Sequence, residues 1–292
     1  MMSLRDTIVS ARNEILRKNT GLQCAIKTGA SRRIIPPFAW KRLQPYGEWE
    51  LSAPDGTKFI YSSSRDDGVG RAIIWTDMRD WERGTQKLLF TLARNTEYFV
   101  DIGAYSGIYC ILACIANPTL KSIAFEPNPA ASEKLRRNIA INGLTDRVTL
   151  VDKALSVSSG HASLAIPRDV TAASLNAAGP KDRTIAVTVT TGDDVLGDLP
   201  VGLIKIDVEG LEPEVLLGMT GVLANTRPAI IAECLGQAAL NRLRSTTSHL
   251  GYNFTYQIRT DRPVLIDNRY VHKERGGGHN YLFTAHPLGD LI

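Results

Sequence analysis

From Glu97 onward, short apolar runs alternate with stretches of helical periodicity, and this alternation restricts the fold more than any other feature of the chain. Residues 98–102, 122–125, 148–151, 203–207 and 229–233 read as strands, and 254–258 and 281–284 read as two more. Most of these runs are apolar at successive positions, so both of their faces need cover. Strands of that kind, separated by helices, predict an α/β domain of Rossmann-like class, with a mainly parallel seven-stranded sheet and helices on both faces. Ser106 reads as the cap of a helix that runs to Asn117 and is closed by Pro118. Asn128 caps another, with Pro129 in its first turn and Gly143 past its end.

Two segments break the alternation. Residues 155–195 read as a β insertion, with 162–166 and 185–190 flanking a mobile polar loop from Pro167 to Arg183. Residues 1–80 read as an N-terminal extension, ahead of the main domain at 81–292. In it Ser3 caps a helix carrying Leu4, Ile8, Ala11 and Ile15, and Gly21 ends that helix. Residues 22–45 read as irregular, and Pro54-Asp55-Gly56 reads as the turn of a hairpin. A helix over 81–94 leads into the domain.

The 292 residues suit one large domain with a modest extra segment, and 43% hydrophobic residues suit an ordinary core. No apolar run reaches the ~18–20 residues of a membrane span, and the Met1 end lacks the pattern of a secretory signal. Cys24, Cys110, Cys114 and Cys234 have no metal-type spacing and read as buried free thiols, consistent with a cytoplasmic chain. Charge is uneven. Residues 1–44 hold nine Lys or Arg against Asp6 and Glu14, a balance of +7, which leaves −3 for the remainder of a chain whose total is +4. Such a segment suits anionic lipid, nucleic acid or a phosphorylated substrate. It equally suits a solvated face or a contact between copies in a homo-oligomer.

The chemistry-bearing residues cluster at strand ends, where open α/β sheets bind ligands. The first strand ends in Asp101-Ile102-Gly103-Ala104-Tyr105-Ser106-Gly107. Gly103 permits a tight turn and close ligand approach, and Gly107 permits close helix packing. Glu126 ends the second strand, where an acid accepts hydrogen bonds from ribose hydroxyls. A dinucleotide prefers three loop glycines, and Tyr105 stands where the second of them would fall. The loop therefore favours S-adenosylmethionine over NAD, with Asp101 near the cationic end of the donor. The fourth strand gives LIKIDVEGLEPEVL, residues 203–216. In extended chain Lys205, Asp207 and Glu209 share a face.

These segments resemble the FkbM family of methyltransferases. The matching elements are VDIGAYSGIY (100–109), AFEPNP (124–129), NGL (142–144), KALS (153–156), LIKIDVEGLEPEVLLGM (203–219) and RPAIIAEC (227–234), in the family's order. The resemblance implies methyl transfer from S-adenosylmethionine, usually to a hydroxyl of a sugar, glycolipid or secondary metabolite. It implies donor contacts at Asp101, Gly103, Ala104, Tyr105, Gly107, Glu126, Pro127, Lys153, Ala154 and Asp207, and at Glu82 from the N-terminal side. The family usually has Asn where this chain has Tyr105, and often His where it has Leu211.

Removing the acceptor's proton calls for a base or a metal. Asp207, Glu209 and His279 are the candidate bases. Asp207, Glu209 and Glu233 also carry oxygens suited to a divalent metal, and the sequence leaves open whether they converge. Two rival readings are a nucleic-acid methyltransferase and a non-catalytic donor-binding or scaffold protein. Against the first, the fourth strand lacks an Asp/Asn-Pro-Pro-aromatic motif and no aromatic and basic residues interleave, so the expected partner is a small molecule or glycan.

Overall fold

The computed structural model describes residues 4–166, 183–272 and 279–290. These fall into two compact units, divided at Arg83–Gly84.

The first unit contains α1 (Leu4–Lys18), α2 (Thr20–Ser31), α3 (Pro37–Trp40), β1 (Gly47–Ser52), β2 (Lys58–Ser63) and α4 (Gly68–Ile73). Helix α2 corrects the expectation that Gly21 ends the helical pattern and that residues from 22 onward are irregular. Asn19 accepts a hydrogen bond from the Leu22 amide at 2.9 Å and starts a new helix, which buries Gln23, Gly29 and Ala30. One Gly in a first turn costs about 1 kcal/mol, which a cap of about 1 kcal/mol and this burial offset. The proposed cap at Ser3 lies outside the described residues. Strands β1 and β2 pair antiparallel, with Trp49 opposite Tyr61 and Leu51 opposite Phe59. The hairpin core includes Trp75, whose ring meets Trp49 edge-on at 6.0 Å.

The second unit follows α5 (Arg83–Ala93) with β3 (Tyr98–Ile102), α6 (Ile108–Ala116), β4 (Lys121–Phe125), α7 (Pro129–Ile141) and β5 (Val148–Val151). Then come β6 (Ala154–Leu155), β7 (Gly160–Ile166), β8 (Arg183–Thr190), α8 (Gly192–Leu196), β9 (Val201–Ile206), α9 (Glu212–Leu217), α10 (Thr220–Thr226) and β10 (Ala229–Glu233). The remainder is α11 (Gln237–His249), β11 (Phe254–Ile258), β12 (Pro263–Leu265) and β13 (Asn280–Thr284). The main sheet runs β12-β11-β13-β10-β9-β3-β4-β5. Neighbours from β10 through β5 are parallel, and β13 is antiparallel to both β10 and β11. The sheet therefore has eight strands, not seven. The additional one, β12, is three residues at an edge, where Pro263 is tolerated because it owes no ladder hydrogen bond on its open side. Val100, Ile102, Ile204, Ile206 and Ile230 are buried in one core below the sheet.

Strands β6, β8 and β7 form a separate three-stranded sheet, so the insertion does not widen the main one. Its polar loop, 167–182, lies outside the described residues, as do Gly276, Gly277 and Gly278. Ser106 does not cap α6. The cap position is Gly107, at φ 77, with no side-chain hydrogen bond, and Ser106 is fully buried. Glycine suits position 107 because the backbone there is left-handed and a side chain would crowd Leu135, whose Cγ lies 3.1 Å from the Cβ position. Cys110, Cys114 and Cys234 are buried free thiols, but Cys24 is exposed. Among the described residues no helix is long and apolar enough to cross a membrane.

Candidate active site

Three strand ends are tied together by their backbones. The amides of Gly103 and Ala104 both donate to the Phe125 carbonyl at the end of β4, at 3.0 and 3.1 Å. The Asp207 amide, just past β9, donates to the Ile102 carbonyl at 2.9 Å. Gly103 sits at φ 82, and a Cβ there would lie 1.9 Å from the Asp207 carbonyl oxygen. Only glycine fits this approach.

Glu126 completes the junction. One carboxylate oxygen accepts the Tyr105 amide and the other the Asn128 amide, each at 2.8 Å. Burial pushes its pKa up to about 7, although the two amides pull the other way. Its hydrogen bond to Tyr105 holds that residue at φ 48, a left-handed conformation that favours glycine. The Tyr105 hydroxyl accepts from the Lys134 ammonium of α7 at 2.9 Å.

Below the loop lies a buried charged layer. Lys205 is fully buried, and its ammonium donates to Asp207 at 3.1 Å and sits 5.6 Å from the centre of the Tyr109 ring. Lys205 is the strand partner of Asp101. Asp101, also buried, accepts the Cys110 thiol at 3.4 Å. Burial raises its pKa to about 7, against the opposing pull of the Lys205 charge. Asp101 thus lies beneath the turn, with little surface of its own.

Strand β9 ends at Ile206, so Lys205, Asp207 and Glu209 do not share one extended face. The chain turns instead, with Glu209 at φ 57 and Gly210 at φ 100. The buried Glu212 carboxylate holds the turn by accepting the Val208 and Gly210 amides at 3.3 and 3.0 Å. This turn brings Asp207 and Glu209 to Glu233 at the end of β10, and carboxylate oxygens of the three lie within 4.8 Å of one another. Burial, then the charge of Asp207, raises the pKa of Glu233, with Lys205 opposing. Such a group can hold a proton, a cation or a metal ion.

The other candidates are more scattered. Ala104 is buried and Pro127 half-buried in the two loops. Lys153 is exposed, and Ala154 is buried in β6. His279 is exposed, but its carbonyl accepts the Cys234 amide at 2.7 Å, so it flanks the strand end that carries Glu233. Its ring lies 5.6 Å from that of His272. Glu82 belongs to the first unit, at φ 37. Sequence reasoning assigned no role to Lys134, Glu212, Tyr109 or Asp152. Asp152, just past β5, accepts from Ser132 and Arg136. A polar residue beside the VDIGAYSG loop in space carries no signal in local spacing, but Glu212 did, as an acid two residues past a turn glycine.

Asp207, Glu209 and Glu233 converge beside the buried Lys205, with Asp101 and Glu126 buried in the adjoining loops. That balance favours a positively charged ligand.

The Methyltransferase FkbM domain matches residues 101–254. The hexuronic acid methyltransferase AglP of Haloferax volcanii is 28% identical over 165 residues, covering 54% of this chain and 65% of that protein. The chain therefore spans just under two thirds of this relative's length. Among solved structures, Methyltransferase FkbM from Methylobacillus flagellatus is 16% identical, with a TM-score of 0.46 over 64% of this chain and 43% of that chain. The O-methyltransferase TomG from Streptomyces achromogenes, solved with SAM, is 14% identical, with a TM-score of 0.42 over 98% and 100%.

Proposed function

The chain belongs to the Methyltransferase FkbM domain family, and on that premise we propose that it is an S-adenosylmethionine-dependent O-methyltransferase acting on a saccharide hydroxyl. The observation that carries the reading is Glu126. Each of its oxygens already accepts one loop amide and keeps a second lone pair, so it can accept from two ribose hydroxyls without releasing the loop. The glycine at 103 and the excess of carboxylates also fit this donor, which carries a sulfonium and an ammonium. Gly103, Ala104, Tyr105 and Gly107 would line the donor, with Pro127, Lys153 and Ala154 beside its adenine. Asp207 would hold the ammonium. Asp101 would contribute charge from beneath the loop.

When bound, the donor supplies an electrophilic methyl. The chain must then align the acceptor oxygen with that methyl, exclude water and take the hydroxyl proton. Asp207 is already engaged by the Lys205 ammonium. Glu209 and Glu233 face the acceptor side of our arrangement; burial makes Glu233 hold a proton more readily than a free carboxyl, which leaves Glu209 as the proposed base. His279 flanks the same strand end and is the alternative base. The relative named for hexuronic acid supports a sugar acid as acceptor. The experiment is methyl transfer from labelled S-adenosylmethionine to a panel of glycosides, uronic acids included. Product on a saccharide supports the reading, and product on RNA or DNA alone replaces it.

The convergence of Asp207, Glu209 and Glu233 favours a second reading of the same corner, in which their oxygens hold a divalent cation that acidifies the hydroxyl. Turnover lost on chelation and restored by magnesium would select it.

A further inference from the structure

The first unit holds two large apolar side chains out in water between pairs of cations, and we propose that this loop docks the protein on an anionic lipid bilayer surface. Ile34 is 72% exposed and Phe38 83% exposed. Pro36 and Pro37 lie between them, Arg32 and Arg33 precede them, and Lys41 and Arg42 follow, all exposed. From residue 15 to residue 47 the chain has seven Lys or Arg and no Asp or Glu.

The loop is built rather than frayed. The amides of Ile34 and Ile35 donate to the Gly29 carbonyl at 2.8 and 3.1 Å, and the Lys41 amide donates to the Pro37 carbonyl at 2.9 Å. The Arg79 guanidinium donates to the Ser31 carbonyl at 2.7 Å. Ile35 packs against Gly29, where a Cβ would meet it at 2.5 Å, and Trp40 is buried. The backbone therefore turns Ile35 and Trp40 inward while it holds Ile34 and Phe38 outward.

An isolated exposed hydrophobe needs no explanation. Two of them at the tip of a braced loop, within residues 32–42 and flanked by four cations, match what a membrane interface takes. The apolar tips enter the headgroup–acyl boundary while the cations meet anionic headgroups. A second copy of the same loop would set four cations against four. A nucleic acid would want several exposed aromatics interleaved with the cations, whereas between Arg32 and Arg42 Phe38 is exposed and Trp40 is buried.

The test is co-sedimentation of the full chain with vesicles of phosphatidylcholine alone and of phosphatidylcholine mixed with phosphatidylserine. Binding to the mixed vesicles only, released by high salt, is expected. The double change Ile34→Ser, Phe38→Ser should weaken it at least about tenfold, and Arg32→Gln with Arg33→Gln about 25-fold, near fivefold per cation. These side chains are exposed, so melting temperatures should not move. In a Phe38→Trp variant, emission should shift to shorter wavelength on adding mixed vesicles. Absence of binding, equal binding to neutral vesicles, or unchanged emission from the Phe38→Trp variant would each overturn the proposal, as would salt-released binding to RNA without binding to vesicles.

Discussion

The carbonyl oxygen of Asp207 occupies the space that any side chain on Gly103 would need, 1.9 Å from the Cβ position. The loop of β3 and the end of β9 are thereby held against each other, and Asp207 is delivered to the carboxylate cluster. Gly103→Ala should destabilise the protein by at least about 2 kcal/mol, since the residue sits at φ 82 and the backbone must also move. Chemical denaturation measures this. Wild-type stability in the variant would mean that the two strand ends are not held by this contact.

Glu126 both supports the loop and faces the proposed ribose. Glu126→Ala should weaken S-adenosylmethionine binding by roughly 10- to 100-fold, the scale of hydrogen bonds to a charged group. It should also lower stability, because the Tyr105 and Asn128 amides lose their acceptor. Calorimetric titration at a temperature where the variant is folded separates the two effects. Unchanged affinity would remove Glu126 from the donor site.

The raised pKa values of Asp101 and Glu126, each near 7 through burial, give a signed pH dependence. The folded protein keeps protons on these acids that the unfolded chain releases near pH 4. Their contribution to stability is therefore present below about pH 4 and is lost as pH rises toward 7. If the ribose contact needs ionised Glu126, donor affinity should change in the opposite sense, rising toward pH 7 and then levelling off. The rise should shrink in Glu126→Gln. A flat affinity profile from pH 5 to 8 would contradict the assignment.

Lys205 is the buried cation among Asp101, Asp207 and Glu233. Lys205→Met should cost roughly 3–5 kcal/mol, because removing one partner strands the others in a buried site. Denaturant unfolding tests this, and a neutral result would mean that Lys205 does not hold this buried layer together.

Much of this fold could be read from the chain because its signals are local. Phe99, Val100 and Ile102 are apolar on both faces of β3, and Asn128 with Pro129 opens α7 in the expected way. What escaped depends on residues distant in sequence, or on weak local signals overridden by context. Gly21 looked like a stop, but the Asn19 cap and burial of Gln23 outweigh it. Pro263 hid β12, which forms only because an edge position spares it a donor. The meeting of Glu209 with Glu233 follows from the Glu212-held turn and the pairing of β9 with β10, not from alternation along a strand. The chain marked Asp101 as a donor contact, yet its burial is set by α6 and β9 packing around it.

The central claim is that the crevice at Gly103, Glu126 and Asp207 holds S-adenosylmethionine. Thermal denaturation with saturating S-adenosylmethionine, its demethylated product or NAD tests it most directly, because a ligand bound only by the folded state must raise the melting temperature. The account predicts a rise with the first two, abolished by Glu126→Ala, and none with NAD. Stabilisation by NAD alone would contradict it.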